Sequence, residues 1–399
     1  MEFLMITKFH IENFKSLYNF DLPSNSHRLG SFTCLIGLNG SGKSTLLQAF
    51  DFMAQLANGN IDAWLARREW NRNELVNNLG KKKPVITFNI EIKTTSGTEI
   101  TWEGRFNSHL LKCTTENVIA NDRPVLKLED GVLFVAGVKG NPDIRFDKVP
   151  FEYQGAVFSQ LKVDADPAIG ELKSEMQGLC SLELLSPQLM HRKARASKDI
   201  GKSGENLSPF LDQLTSESKE KLQKMLQEFY PQLSSWNVKT YRFGWKSLRI
   251  QESFKESATV ESGHINDGFL RVIAILAQAH SNHRFLLFDE IENGINPALV
   301  ERLMDFLVSL GSQGKQVIVT THSPMILNFL TDDVAREDVL LLYKTNDGKT
   351  QSCRYFDQPE TGYKLKALGP GEVFIDTDLT KLAARLSGSI TNALPGKAG

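Results

Sequence analysis

The alternation of apolar and polar positions divides the chain into three stretches. Over residues 4–22, Ile6, Phe9, Ile11 and Phe14 are interleaved with Thr7, Lys8, His10, Glu12 and Lys15, which predicts an N-terminal hairpin. Phe32-Thr33-Cys34-Leu35-Ile36 reads as a buried strand and residues 45–58 as a helix. Beyond a turn at Lys81-Lys82-Lys83-Pro84, period-two runs at 85–94, 99–106, 125–128 and 132–136 predict an antiparallel β layer. Gly97, Asp130-Gly131, Gly137 and Gly140-Asn141-Pro142 punctuate it. From 168 to 236 the pattern turns helical. Leu222, Met225, Leu226 and Phe229 share one face of a helix over 216–230, which Pro231 stops. No heptad repeat is sustained, so this insertion is not a long coiled coil. The last third reads as α/β: helix 267–280, buried strand Phe285–Phe288, helix 297–311, strand 316–321, a helix opened by Ser323-Pro324, and edge strands 339–343 and 352–356 around the Asp347-Gly348 turn. The expected division is an N-terminal half over 1–160, a helical insertion over 161–258 and a C-terminal half over 259–399.

Charge and composition narrow the chemistry. A net charge of -1 over 399 residues means that any nucleic-acid contact must be local. Two places offer one. Trp64, Arg67, Arg68, Trp70 and Arg72 can stack on bases or simply pack on a helix surface, and packing is the expectation. His191-Arg192-Lys193-Ala194-Arg195-Ala196-Ser197-Lys198, the most basic run, can sit on phosphates or be an exposed helix end. Cys34, Cys113, Cys180 and Cys353 are far apart and lack C-x-x-C spacing, which suggests reduced thiols in a cytoplasmic protein. The start of the chain does not read as a signal peptide, and no run approaches 18 apolar residues, so no membrane span is expected.

The strongest local signal is Gly37-Leu38-Asn39-Gly40-Ser41-Gly42-Lys43-Ser44, which fits G-x-x-x-x-G-K-[ST] between a predicted strand and a predicted helix. Glycines let the backbone turn its N–H groups onto an anion, and the helix N-terminus behind them adds partial positive charge. Lys43 would meet the β- and γ-phosphates of a nucleotide, and Ser44 would offer its hydroxyl to Mg²⁺. Asp289-Glu290 follows the four apolar residues 285–288 at a strand's carboxyl end. There Asp289 would hold the metal and Glu290 would orient and deprotonate a water. His322, in Thr320-Thr321-His322-Ser323-Pro324, can reach a γ-phosphate or that water. The same segment also suits a helix cap, with Ser323 at the cap and Pro324 at the first helical position. Ser262-Gly263-His264-Ile265-Asn266-Asp267-Gly268 precedes another helix N-terminus, suited to an anion or capped by Asp267.

Taken in order, these motifs resemble the ABC-type ATPases, and within them the soluble branch that includes the SMC, RecF and OLD-family proteins. Ile6 to Leu17, with Asn13-Phe14-Lys15-Ser16, is similar to that branch's opening; Asn266-Asp267-Gly268-Phe269-Leu270-Arg271 is similar to its signature; Asp289-Glu290-Ile291-Glu292-Asn293-Gly294-Ile295-Asn296-Pro297 is similar to its Asp-Glu segment. The likeness covers roughly 1–56 and 260–345. It implies a P-loop NTPase of the ABC-ATPase head type, an α/β fold with an antiparallel β layer and a helical insertion. It also implies ATP and Mg²⁺ as cofactors, and a homodimer or higher homo-oligomer built through ATP sandwiches. Asn39, Gly40, Ser41, Gly42, Lys43, Ser44 and Thr45 of one chain would then hold the nucleotide, with Glu290, His322 and Lys43 catalytic and Ser44 and Asp289 on the metal. Asn266, Asp267 and Gly268 would come from the other chain. Asn266 departs from the serine that usually opens the signature. The glutamine that the family places near the metal has two candidates, Gln160 and Gln188. The segment Ala367-Leu368-Gly369-Pro370-Gly371-Glu372-Val373-Phe374 resembles stand-alone AAA-family ATPases of bacterial anti-phage defence, of the Septu or PARIS type. Those work with a separate effector, a nuclease or toxin. The alternative is a DNA-repair or chromosome-maintenance ATPase that binds DNA itself. A nuclease reading, resting on Glu372, Asp376 and Asp378, has too little chain after it for a TOPRIM domain, and helix caps explain these acids more simply.

Overall fold

A computed structural model describes the whole chain except residues 1–4, 25–26, 80–82, 138–141, 162–164, 184, 196, 198 and 389–399. Lys81, Lys82, Gly140, Asn141, Ala196, Lys198 and most of the C-terminal tail therefore lie outside the described residues.

The centre is a six-stranded sheet in the order Leu179–Leu182, Phe285–Phe288, Gln316–Thr320, Phe32–Ile36, Val339–Lys344, Thr350–Arg354. The first five strands are parallel and the last is antiparallel. Continuous apolar strands such as Phe-Leu-Leu-Phe belong in a sheet covered on both faces. Their side chains alternate between two cores. Leu35, Leu287, Ile318 and Leu342 face one, while Cys34, Ile36, Leu286, Phe288, Val317 and Val319 face the other.

The first core is roofed by an eight-stranded antiparallel sheet ordered Phe20–Leu22, Met5–Glu12, Val85–Lys93, Glu99–Asn107, Lys112–Ala120, Arg123–Glu129, Val132–Val135, Ile144–Phe146. The helix Lys43–Asn58 lies between the two sheets. Its Phe50 ring packs on Phe9 of the roof (4.6 Å between centroids) and on Phe285 of the central sheet (5.3 Å). The second core is closed by the apolar helix Asp267–Ala279 and by Pro297–Ser309.

The fold agrees with the expected α/β head and β layer but differs from expectation in places: Val339–Lys344, expected at an edge, lies inside the central sheet between Phe32–Ile36 and Thr350–Arg354. Lys112–Ala120 is a strand of the roof although its sequence, KCTTENVIA, lacks strand-like alternation. It buries Glu116, whose carboxyl takes the amide hydrogen bond of Val157 (2.6 Å) and is pushed up to about 8 by burial. The stretch 161–258 is also not only helical. Leu179–Leu182 is an outer strand of the central sheet, and Leu233–Thr240, Lys246–Ser253 and Ser257–Glu261 form a separate three-stranded antiparallel sheet. A four-residue strand among helices carries no period of its own, and the second sheet's outer strand, Ser257–Glu261, is exposed along most of its length, so neither left an apolar pattern. Among the described residues of the stretch, the longest helix is Ser216–Phe229, with 14 residues.

The tryptophan–arginine stretch packs inward. Trp64 and Arg68 are buried, and Arg68 pairs with Asp51 and Glu183 while lying over the Trp70 ring at 4.7 Å. The acids near the C-terminus serve caps and ion pairs: Glu372 accepts from the Gly369 amide, Asp378 caps Leu379–Leu386, and Asp376 pairs with Lys364. Among the described residues no helix is long and apolar enough to cross a membrane.

Candidate functional site

The strand Phe32–Ile36 runs into the phosphate loop, and three of the loop's glycines hold backbone angles that L side chains rarely adopt, among them Gly37 (φ 149°) and Gly42 (φ 111°). The neighbours add a second reason for glycine at both places. A Cβ on Gly37 would lie 2.3 Å from the Leu342 carbonyl, and one on Gly42 would lie 2.5 Å from the Thr350 hydroxyl. Thr350 in turn donates to the Ser41 carbonyl (2.9 Å), so the antiparallel strand Thr350–Arg354 supports the loop from behind. The helix Lys43–Asn58 starts with no side-chain cap and no acid in its first turn. Its first N–H groups are therefore left for an anion. Ser44 is exposed at this end, and Asn39 and Ser41 line a cavity of about 280 Å³ with Tyr343, Lys344 and the helix Leu379–Leu386.

Lys43 is buried, and its ammonium folds back onto the loop, donating to the carbonyls of Gly37 (2.8 Å) and Leu38 (3.3 Å) and lying 3.4 Å from His322 Nδ1. Burial lowers its pKa to about 8, although Asp289, Glu290 and Glu292 pull it back up. A nucleotide's phosphates would take the place of those carbonyls. The free protein keeps the amine charged below pH 8 and loses the proton above it, whereas the phosphates need the charge. The ATP dissociation constant should therefore be flat from pH 7 to 8 and then rise, by at most about tenfold per pH unit. Isothermal titration between pH 7 and 9.5 checks this, and a pH-independent constant would remove Lys43 from the phosphate contact.

Asp289 and Glu290 emerge at the carboxyl end of Phe285–Phe288, separated from the phosphate-loop strand by Gln316–Thr320. That intervening strand ends in Thr320, whose hydroxyl donates to Asp289 Oδ1 (2.5 Å) and accepts from the Glu290 amide (2.9 Å). Glu290 takes a left-handed backbone (φ 48°), which in a non-glycine residue costs on the order of 1 kcal/mol. Its carboxylate lies 3.6 Å from His322 Nε2 and 3.4 Å from the Asn293 amide nitrogen. His322 thus stands between the Lys43 ammonium and the Glu290 carboxylate. Glu292 clamps the histidine's segment, accepting from the His322 amide (2.9 Å) and the Thr321 hydroxyl (2.8 Å). Sequence reasoning assigned no role to Thr320 or Glu292. Thr320 is the last residue of its own strand and Glu292 lies four residues past Phe288, and neither position reveals which strand lies alongside.

The phosphate loop, Asp289, Glu290 and His322 thus converge, whereas Asn266, Asp267 and Gly268 sit elsewhere. They line a cavity of about 540 Å³ with Tyr230, Glu252 and Asn296, and no phosphate-loop residue shares it. Asn266 caps its helix, its side-chain oxygen accepting from the Phe269 amide (3.2 Å). Asp267 is held by His191 (2.9 Å). The two glutamine candidates fare differently. Gln160 lies beside Gly59, at the far end of the 16-residue helix from Lys43, and cannot reach the metal position. Gln188 follows the Leu179–Leu182 strand and accepts from the Ser186 hydroxyl (3.2 Å). Glu183, just past that same strand, is the residue that lines a small pocket with Asp289 and Glu290.

Two family models match parts of the chain. Residues 8–133 match the family model "AAA domain", and residues 183–328 match "AAA domain, putative AbiEii toxin, Type IV TA system". The chain is similar in structure to an Smc head bound to the C-winged helix domain of ScpA, with 16% identity and a TM-score of 0.52, covering 87% of this chain and 96% of that one. It is similar also to the Smc head domain with an extended coiled coil bound to the C-terminal domain of ScpA derived from Pyrococcus furiosus, with 12% identity and a TM-score of 0.53, covering 91% and 100%. No curated protein matches. The fold is that of the Smc head domains, and the two matched segments carry the site between them: residues 8–133 contain the phosphate loop, and residues 183–328 contain Asn266–Gly268, Asp289-Glu290 and His322.

Proposed function

We propose that this chain is a nucleotide-driven switch in which two copies pack head to tail over two ATP·Mg²⁺. In each site, Asn39 to Thr45 of one chain wrap the phosphates, Ser44 and Asp289 hold Mg²⁺, and Glu290 activates the attacking water beside His322. Asn266 and Gly268 of the other chain then meet the γ-phosphate. ATP closes the pair and hydrolysis releases it. The observation that carries this reading is the separation of Asn266–Gly268 from the phosphate loop: one chain alone presents two incomplete halves of a site. Control of a separate effector in anti-phage defence is the role in which such a switch would act, and the matched model's association with toxin–antitoxin systems favours it. A repair ATPase that holds DNA is the second reading, favoured by the exposed basic run at 192–195.

The test is the light-scattering mass of Glu290→Gln with and without ATP·Mg²⁺. A mass that doubles only with ATP supports the sandwich. A mass unchanged by nucleotide, whether that of one chain or of a standing assembly, overturns it.

A further inference from the structure

The basic run at 192–195 and the tip of the hairpin between Leu233–Thr240 and Lys246–Ser253 are one surface. Ala194 and Lys246 exchange both backbone hydrogen bonds (3.1 and 2.8 Å), so the run lies against the hairpin as a short extra edge. The hairpin tip alternates aromatic and cationic residues: Lys239, Tyr241, Arg242, Phe243, Trp245, Lys246. Lys193 lies over the Tyr241 ring at 3.7 Å, Lys239 approaches the same ring at 4.7 Å, and Arg195 covers Trp245 at 4.9 Å. Phe243, at the turn, has no such cover. Its side chain is 86% exposed and its backbone is left-handed (φ 61°), an arrangement that aims an apolar ring into water.

The acids nearby are few and already engaged. Glu261 holds Arg249 and the Tyr241 hydroxyl, and Asp212 pairs with Lys246. Among the described residues, no ion pair involves Arg192, Lys193, Arg195 or Arg242. Unpaired cations interleaved with aromatic faces are what a flexible polyanion with stackable rings requires: the cations follow its phosphates and the aromatic rings take its bases. A duplex hides its bases and would use only the charge.

We propose that Lys193, Arg195, Lys239, Arg242, Phe243 and Trp245 form a platform for single-stranded nucleic acid, and that His191 connects it to the ATP-sandwich surface. His191 begins the basic run. Its ring nitrogens face the Ser262 carbonyl and the Asp267 carboxylate, and Ser262 donates back to the His191 carbonyl (2.9 Å). Asp267 lies between Asn266 and Gly268, so a strand that shifts the run would shift the residues offered to the partner's nucleotide. The platform itself does not depend on the switch reading; only the coupling does.

The test is fluorescence anisotropy of a labelled 20-mer oligo(dT) with the full chain at 50 mM salt and without nucleotide. Binding should weaken with salt, with a logarithmic slope of roughly −2 to −3 for three or four neutralised phosphates. Phe243→Ala should lose at least about fivefold in affinity, as expected for one stacked base. Lys193→Glu with Arg195→Glu should lose more, and a duplex of equal length should bind less well than the single strand. Phe243 is solvent-exposed, so an unchanged melting curve shows that its variant is folded. The platform falls if the oligonucleotide does not bind, if Phe243→Ala binds it as the parent does, or if polyglutamate displaces it as well as unlabelled oligo(dT) does. The coupling is read separately, as the ratio of ATP turnover with and without oligo(dT). His191→Gln should keep the affinity and abolish any stimulation. Binding without a change in turnover would leave the platform standing and remove the link through His191.

Discussion

Glu290→Gln should bind ATP as the parent does and hydrolyse it about 10²–10⁴ times more slowly, the usual contribution of a positioned general base. The substitution keeps the side chain's length and its left-handed backbone, because the holding contacts come from elsewhere: Thr320 takes the Glu290 amide hydrogen and Asn293 reaches the side-chain head. What disappears is the carboxylate that can take a proton from water. Single-turnover phosphate release, alongside equilibrium binding of ATP, separates the two effects. Turnover within a few-fold of the parent would move the proton acceptor away from Glu290. His322, 3.6 Å away, would then be the group to examine.

The second large effect concerns the residues that one chain would lend to another. Gly268 leaves little room for a side chain: a Cβ would lie 3.0 Å from the Gly294 carbonyl and 3.2 Å from Asn266 Oδ1. Gly268→Glu should leave ATP bound to its own phosphate loop yet stop turnover, because it crowds Asn266 and adds a negative charge where a γ-phosphate would arrive. Lys43→Ala should stop turnover for the opposite reason, by losing the nucleotide. Mixed in equal amounts, the two inactive proteins should regain about a quarter of the parental rate, since half of randomly paired dimers are mixed and each mixed pair contains one intact site. An ATPase assay of the mixture decides. No recovery at all would mean that Asn266 and Gly268 act within their own chain, or not on the nucleotide.

The individual motifs were legible because each needs only a strand, a turn and a residue type in sequence. Gly42-Lys43-Ser44 announces itself by glycines and a lysine between strand and helix, and Asp289-Glu290 by four apolar residues before two acids. Their mutual placement was not legible. Thr320, which holds both acids, is important only because Gln316–Thr320 inserts between the two motif strands. Nothing within thirty residues of Asp289 states that order. The strand Lys112–Ala120 was hidden by a buried glutamate, which reads as surface unless its partner at Val157 is known. Trp64 and Trp70, the stacking candidates nearest to arginines in the sequence, are spent on Arg68, while the exposed rings are Phe243 and Trp245, at a hairpin tip whose flanking strands are too solvated to show a period.

The sheet order also bears on how the protein is made. The strand before the phosphate loop finds its neighbours at Gln316–Thr320 and Val339–Lys344, and Gln316 closes the seam by accepting from the Ile6 amide (2.8 Å) and donating to the Ile6 carbonyl (2.9 Å) across 310 residues. At ribosomal speeds of about 5–20 residues per second, the first strands wait roughly 15–60 s for those partners to be synthesised. Meanwhile the roof and its helix can assemble, but the loop lacks the sheet that gives it shape. Nucleotide capture is therefore a late event in the life of each molecule. A polypeptide cut short before Gln316 would leave the ribosome with a phosphate loop that lacks its neighbouring strand.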